Sequence, residues 1–476
     1  MLVELLILAT ISPAVTRKRS KVMDIILGNV PSKEQNPIRK EALIMMHKLK
    51  QKQNQRITRI TESTLVVGAD IAKRIHVARA VDFRGIELGK DCVFHNDQEG
   101  LTKLVTWMKE LGQAHGKTDI IFGIEPTGHY WFPLAAFLQA QEIQVVVVNP
   151  HHVSKSKELE DNSPTKSDYK DAKVIAKLIR DGNYSEPKLP TKEFAELRIL
   201  MNLREKVSDN LTQVKSRIGN WFDRFFPEYA TVFKDWSGKA SLMSMRAFPL
   251  PADIVAKGAR DVLAHWKTEV KRGVGIKRAE ALYAAASASI GLTEGAIAAR
   301  VELRTLLAQF DLFNEQLEMM MQQVGEILES IPGTADMLTV PGIGVLTVAG
   351  FLAEVGDLNH YDHGQQIIRL AGLNLMENSS GIRKGQTGIT KRGRSRLRAL
   401  LFRAVMPMVA KNLEFQALHR YYTTRSQNPL KKKQSLIALC GKLIRVLYTL
   451  GTKKRAYNAM DVMGPVRQAQ LQQLAA

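Results

Sequence analysis

At 476 residues the chain is too long for one ordinary core and predicts two to four domains. Its formal charge of +21 and pI near 9.8 imply a polyanionic partner, nucleic acid first and an anionic membrane second. With only Cys92 and Cys440, a disulfide framework and a thiolate metal site are excluded, which fits a cytoplasmic protein.

Residues 1–14 are apolar, but no basic stretch precedes Leu5-Leu6-Ile7-Leu8-Ala9, and the run falls short of the ~20 residues of a membrane span. No membrane association is expected. From 17 to 59, twelve basic residues stand against Asp24, Glu34 and Glu41. Residues 1–63 therefore read as a flexible basic extension, either a nucleic-acid-binding arm, an idle solvated tail, or a segment upstream of a start at Met23, Met45 or Met46.

The apolar run Leu65-Val66-Val67-Gly68-Ala69 closes on Asp70, and Ile120-Ile121-Phe122-Gly123-Ile124 closes on Glu125. Both look like carboxylates at the exit of a buried strand. Between them, 75–81 and 86–94 read as two more strands, followed by a helix capped by Asp97 with its stripe on Leu101, Leu104, Val105, Met108 and Leu111. A helix over 130–140 and the strand Val145-Val146-Val147-Val148 follow. Asp168 and Asp171 open a further helix, whose face continues through Ile175 and Leu178, so that the acid pair points inward. Converging carboxylates are costly to bury without a cation, and an all-oxygen set suits Mg²⁺ or Mn²⁺. Three hairpin-linked strands followed by alternating helices and strands form the layout of a ribonuclease-H-like sheet.

From Phe194 the pattern turns helical. Leu197, Leu200, Val207, Leu211, Val214, Ile218, Trp221 and Phe225 keep a three-four alternation that only Arg204 interrupts. Leu303, Leu306, Phe310, Phe313, Leu317, Met320, Val324 and Ile327 keep it unbroken, a coiled-coil seam that could pair within the chain or between subunits. Small Ala-rich helices fill the space between, over about 250–292.

In Pro341-Gly342-Ile343-Gly344 the two glycines, followed by a helix, suit the hairpin of a helix-hairpin-helix motif, whose backbone amides approach a phosphate; an ordinary interhelical turn is the alternative. Beyond Ala371-Gly372-Leu373 and Ser379-Ser380-Gly381, nine basic residues and no acid lie between 378 and 413: Arg383, Lys384, Lys391, Arg392, Arg394, Arg396, Arg398, Arg403 and Lys411. Such a segment clamps phosphates and makes binding salt-dependent. A serine among arginines has cations at hand for charge developing on a phosphate.

Taken together, Asp70, Glu125-Pro126-Thr127-Gly128 and Asp168-Tyr169-Lys170-Asp171-Ala172 resemble the DEDD transposases of bacterial insertion sequences, whose N-terminal domain is similar to the Holliday-junction resolvase RuvC. The resemblance covers about 64–455. It implies a RuvC-like catalytic domain over 64–185, a helical coiled-coil assembly region over 186–330, a mainly α C-terminal transposase domain over 331–460, and a tail over 461–476. It further implies that Ser380, with Ser379 beside it as the alternative, attacks DNA to form a covalent phosphoserine link. A structured bridge RNA would guide the choice of double-stranded DNA ends and target, and the chain would work as a dimer or tetramer. The rival readings are a RuvC-like, metal-dependent structure-specific endonuclease that forms no covalent intermediate, and a non-catalytic nucleic-acid-binding protein.

Overall fold

The computed structural model describes residues 51–464 other than 52, 127, 162–167, 188–189, 377–378, 381–382 and 385–387. Most of the basic extension and the tail from 465 lie outside the described residues, as do the side chains of 158–161, 379–380 and 383–384. Contacts divide the chain into two units, Met1–Lys188 and Leu189–Ala476.

The first unit is built on a six-stranded mixed sheet in the order β3-β2-β1-β4-β5-β6, with β1 Thr64–Asp70, β2 Ile75–Val81, β3 Cys92–His95, β4 Asp119–Ile124, β5 Gln144–Val148 and β6 Tyr184–Ser185. β1 runs antiparallel to β2 and parallel to β4. Being central, it is buried along its whole apolar run, which is why that run is continuous rather than alternating. Helices α1 Gln98–Ala114, α2 Trp131–Ala140, α3 Pro150–Asp161 and α4 Asp168–Arg180 complete the unit. The arrangement is compatible with a ribonuclease-H-like sheet.

One strand differs from expectation, and one helix is unanticipated. The third strand is confined to Cys92–His95, with a single bridge between Val81 and Glu87 before it. Asp82 ties the turn by accepting from the amides of Arg84 and Ile86, and Gly85 and Gly89 take positive φ, so the chain cannot continue as strand over 86–91. After β5 the chain enters helix α3, whose start is marked by Pro150 and by the Asn149 side chain accepting from the amide of His151.

In the second unit two long helices, α5 Lys192–Phe225 and α11 Ala296–Ser330, pack along each other within the chain. They run antiparallel: the Trp221 indole donates to the Ala299 carbonyl, Arg224 pairs with Glu302, and Lys215 lies over Phe310. Short helices α6 Tyr229–Val232, α7 Lys239–Ala247, α8 Pro251–Lys257, α9 Ala259–Lys267 and α10 Ile276–Ser287 close over one end of this pair, around Trp221, Phe226 and Trp266. At the other end, Leu197, Val324 and Leu328 join the core of the C-terminal helices. These are α12 Thr334–Leu338, α13 Val345–Val355, α14 Gly364–Leu370, α15 Ser395–Lys411, α16 Leu413–Thr424, α17 Lys432–Lys453 and α18 Ala459–Met463. Helix α17 is apolar and long enough to cross a membrane, but Leu439, Cys440, Leu443, Ile444 and Leu447 are buried in this core. Both cysteines are unpaired and buried.

Candidate active site

Four carboxylates, Asp70 and the three within its electrostatic reach, Glu125, Asp168 and Asp171, lie at one edge of the sheet unit. Asp70 is the last residue of β1, and Glu125 follows the last residue of β4. The parallel register pairs Gly68 with Gly123 and Ala69 with Ile124, so Asp70 and Glu125 stand side by side one step further on. Because side chains alternate along a strand, Asp70 shares a face with Gly68, and Glu125 with Gly123.

That face is the one α4 covers. A Cβ on Gly68 would come within 2.3 Å of the Ala172 carbonyl oxygen and of the Ala176 amide nitrogen; one on Gly123 would meet Ile179 Cδ1 at 2.1 Å. The absence of side chains at this register pair lets α4 lie directly on the sheet, bringing Asp171, just before Ala172, to the strand exits.

Asp171 is buried, whereas Asp168 is exposed. The expectation that both point inward holds for one of them: Asp168 is the first residue of the helix and stands beyond the part that the sheet covers. Asp171 Oδ2 accepts from the Lys157 ammonium of α3 at 2.5 Å, while Oδ1 is buried without a hydrogen-bond partner. Burial, reinforced by the charges of Asp171, Asp168 and Glu125 and opposed by Lys157, pushes the Asp70 carboxyl from 3.8 up to about 6. Among the described residues no three acids, histidines or cysteines are drawn tightly around a single point. The donor set is nonetheless all oxygen, and a buried, unpartnered carboxylate oxygen is what a hard cation would satisfy.

Behind the turn that follows Asp70, the ring of His76 is fully buried against Phe94, and its Nδ1 accepts from the Ala72 amide. Neither His76 nor Lys157 stood out in the sequence. Lys157 lies in a helix that no periodicity announces, fourteen residues before the acid it touches.

Ser380 lies in the second unit. Ser379–Ser380 (β8) pairs antiparallel with Arg383–Lys384 (β9), Ser380 opposite Arg383, while Leu375–Met376 (β7) pairs with Gly388–Ile389 (β10) at the base. Below that base two loops are laced together: Thr390 donates to the Asn374 carbonyl, Lys391 to that of Gly372, and Arg394 to that of Leu370. Gly372 takes a φ of +67°, and a Cβ there would lie 2.9 Å from the Lys391 carbonyl carbon; one on Gly393 would lie 2.4 Å from the Leu370 carbonyl oxygen. The two glycines thus allow backbone-to-backbone contact under the serine hairpin.

The basic residues divide into two groups. Lys391 and Arg392 are exposed. Arg394 instead binds the Glu354 carbonyl and carboxylate, closing the C-terminus of α13; Arg396 engages Asn202 and Glu205 of α5; and Arg398 donates to the Ala371 carbonyl at 2.9 Å. Gly342 turns the chain with a φ of +90°, and Gly344 opens α13 without a side-chain cap.

Comparison with known proteins finds two family matches along the chain. Residues 67–227 match a family of DEDD type described as transposase, and residues 334–422 match the transposase IS116/IS110/IS902 family. An uncharacterized protein of insertion element IS116 from Streptomyces clavuligerus is 23% identical over 392 residues, covering 82% of this chain and 95% of that protein. The mini-circle putative transposase for IS117 from Streptomyces coelicolor is 27% identical over 309 residues, 62% of this chain and 72% of that one. The pilin gene-inverting protein of Moraxella bovis is 23% identical over 404 residues, 83% and 98%.

Proposed function

Because this chain belongs to the IS110/IS116 family of DEDD transposases, enzymes that cut and rejoin DNA, we propose that it does so with a divalent-cation site on its sheet unit and a serine nucleophile on its helical unit. The observation that carries the first half is the crowding of carboxylates: Asp70 is held near pKa 6 by burial and by Asp171, Asp168 and Glu125 together. Asp70, Glu125, Asp168 and Asp171 would hold Mg²⁺ or Mn²⁺, the buried Oδ1 of Asp171 being the oxygen most in need of it. When bound, the ion supplies Lewis-acid stabilisation of charge on the phosphate oxygens.

The second half rests on the family likeness and on the braced hairpin. Ser380 attacks the scissile phosphorus: the bond from its Oγ to phosphorus forms, the ester bond to one deoxyribose oxygen breaks, that oxygen takes up a proton, and the serine proton passes to an acceptor. Attack by the hydroxyl of a new strand reverses these steps and joins the DNA. A structured guide RNA is the second nucleic-acid partner in this reading, since a chain that leaves sequence choice to base pairing needs mainly backbone contacts and positive charge. Two chemical groups on separate units suit assembly as a dimer or tetramer.

The test is covalent trapping with the full chain, element-end DNA, the flanking transcript and Mg²⁺. A protein–DNA adduct that disappears in Ser380→Ala and in Asp168→Asn supports both halves. Cleavage without an adduct, persisting in Ser380→Ala, removes the serine and leaves a resolvase-like nuclease.

A further inference from the structure

Arg204 interrupts the apolar face of α5 at the position where Leu197, Leu200, Val207 and Leu211 set the alternation. Its guanidinium is half sunk into the unit, its Nε is buried without a hydrogen-bond partner, and no described carboxylate pairs with it. Glu205, the next residue in the chain, is already engaged by Arg396, and Glu354 by Arg394, with Arg198 on the Glu354 carbonyl. The charge that acts on Arg204 is a second cation, Arg403 of α15, exposed and two helical turns beyond Arg396. A guanidinium cannot discharge by losing its proton, so a sunken one beside another cation is electrostatically incomplete. Leucine would fill the seam at less cost.

We propose that Arg204 and Arg403 form a receptor for one backbone phosphate of a bound nucleic acid. A phosphodiester brings the two features the pair lacks, a negative charge and several acceptor oxygens, and guanidinium forks bind it in paired hydrogen bonds. The exposed Lys391 and Arg392, just before the start of α15, and the chain's surplus of +21 favour a polyanion over a lone small anion. This receptor requires no strand cutting, so it stands or falls independently of the trapping experiment.

The test compares the full chain with Arg204→Met, Arg403→Ala and, as a control for net charge, Lys271→Ala, an exposed site remote in sequence. Each is titrated with a 20-base-pair duplex of arbitrary sequence and with a structured RNA over a range of salt concentrations, and its Tm is measured without nucleic acid. The expected result is a slope of log K against log salt reduced by about 1 and binding weakened roughly tenfold in both arginine variants but not in the control. Arg204→Met should melt no lower than the parent, because an apolar side chain suits the seam. Loss on the duplex alone assigns the phosphate to DNA, and loss on the RNA alone assigns it to RNA. If Arg403→Ala keeps the parental slope on both, or if Arg204→Met melts lower while Arg403→Ala binds normally, Arg204 is a structural residue and the receptor does not exist.

Discussion

In the sheet unit, acids stand at the ends of regular elements and are positioned by a helix lying directly on strand backbone; in the helical unit, Ser380 stands on two residues of ladder, positioned by two loops laced beneath it. Both designs depend on glycine, but differently. Gly68 and Gly123 hold their places for what they lack: a side chain at Gly68 would meet the backbone of α4 and lift it from the sheet, and one at Gly123 would take the space of the Ile179 side chain. Gly372 is needed for its positive φ as well as for space. A site made on packed elements is fixed by the core itself. One made on a short hairpin is only as fixed as its base.

The strongest way to break this contrast is Gly68→Val. Its branches would meet backbone atoms of α4, which cannot swing aside, so a loss of about 3 kcal/mol or more and the collapse of all metal-dependent activity are expected. Denaturant unfolding of the full chain measures it. Gly372→Ala should cost less, about 1–2 kcal/mol of strain, yet lower strand transfer far more than stability. Parallel melting and trapping assays would show that split, and equal losses in both would mean that the hairpin is as deeply built in as the sheet.

Gly123→Ala sharpens the comparison within the sheet unit. The atoms it meets are the end of the buried Ile179 side chain, which can repack where backbone cannot, so about 1 kcal/mol is expected against the larger loss at Gly68. The smallest effect is electrostatic. Asp70 holds its proton more tightly when folded, with a pKa of about 6 against 3.8, so stability from this group is present below about pH 4 and is lost as pH rises through 6. Metal-free protein should therefore gain on the order of 1 kcal/mol at pH 7 from Asp70→Asn, solvent screening at a partly exposed carboxylate allowed for, even though activity is lost. Added Mg²⁺ should stabilise the parent and not the variant; thermal melting at pH 5 and pH 7 with and without Mg²⁺ reads both.

The sequence displays the strand exits at Asp70 and Glu125 because a central strand buried on both faces reads as an unbroken apolar run. It also shows the buried face of α4 through the spacing of Asp171, Ile175 and Leu178. The Gly68–Gly123 pair was not legible: a glycine inside a strand looks like a weakness until its partner, fifty-five residues away, is seen under the same helix. The arginines after the serine were legible as charge but not as contacts. Arg394, Arg396 and Arg398 find their carbonyl and carboxylate partners on α13, on α5 and in the 371 loop, which only the tertiary fold assembles. Lys157 was hidden because α3 has no amphipathic stripe to announce it.

The antiparallel pair of α5 and α11 has a metric consequence. Thirty-four helical residues span about 51 Å, the rise of about fifteen base pairs of duplex. One end is anchored in the core that carries the serine hairpin, and the other is closed by the short helices around Trp266. The pair is thus a ruler of fixed length with a capped tip, and removing seven residues from each helix, which preserves their facing stripes, would shorten its reach by about 10 Å, or three base pairs.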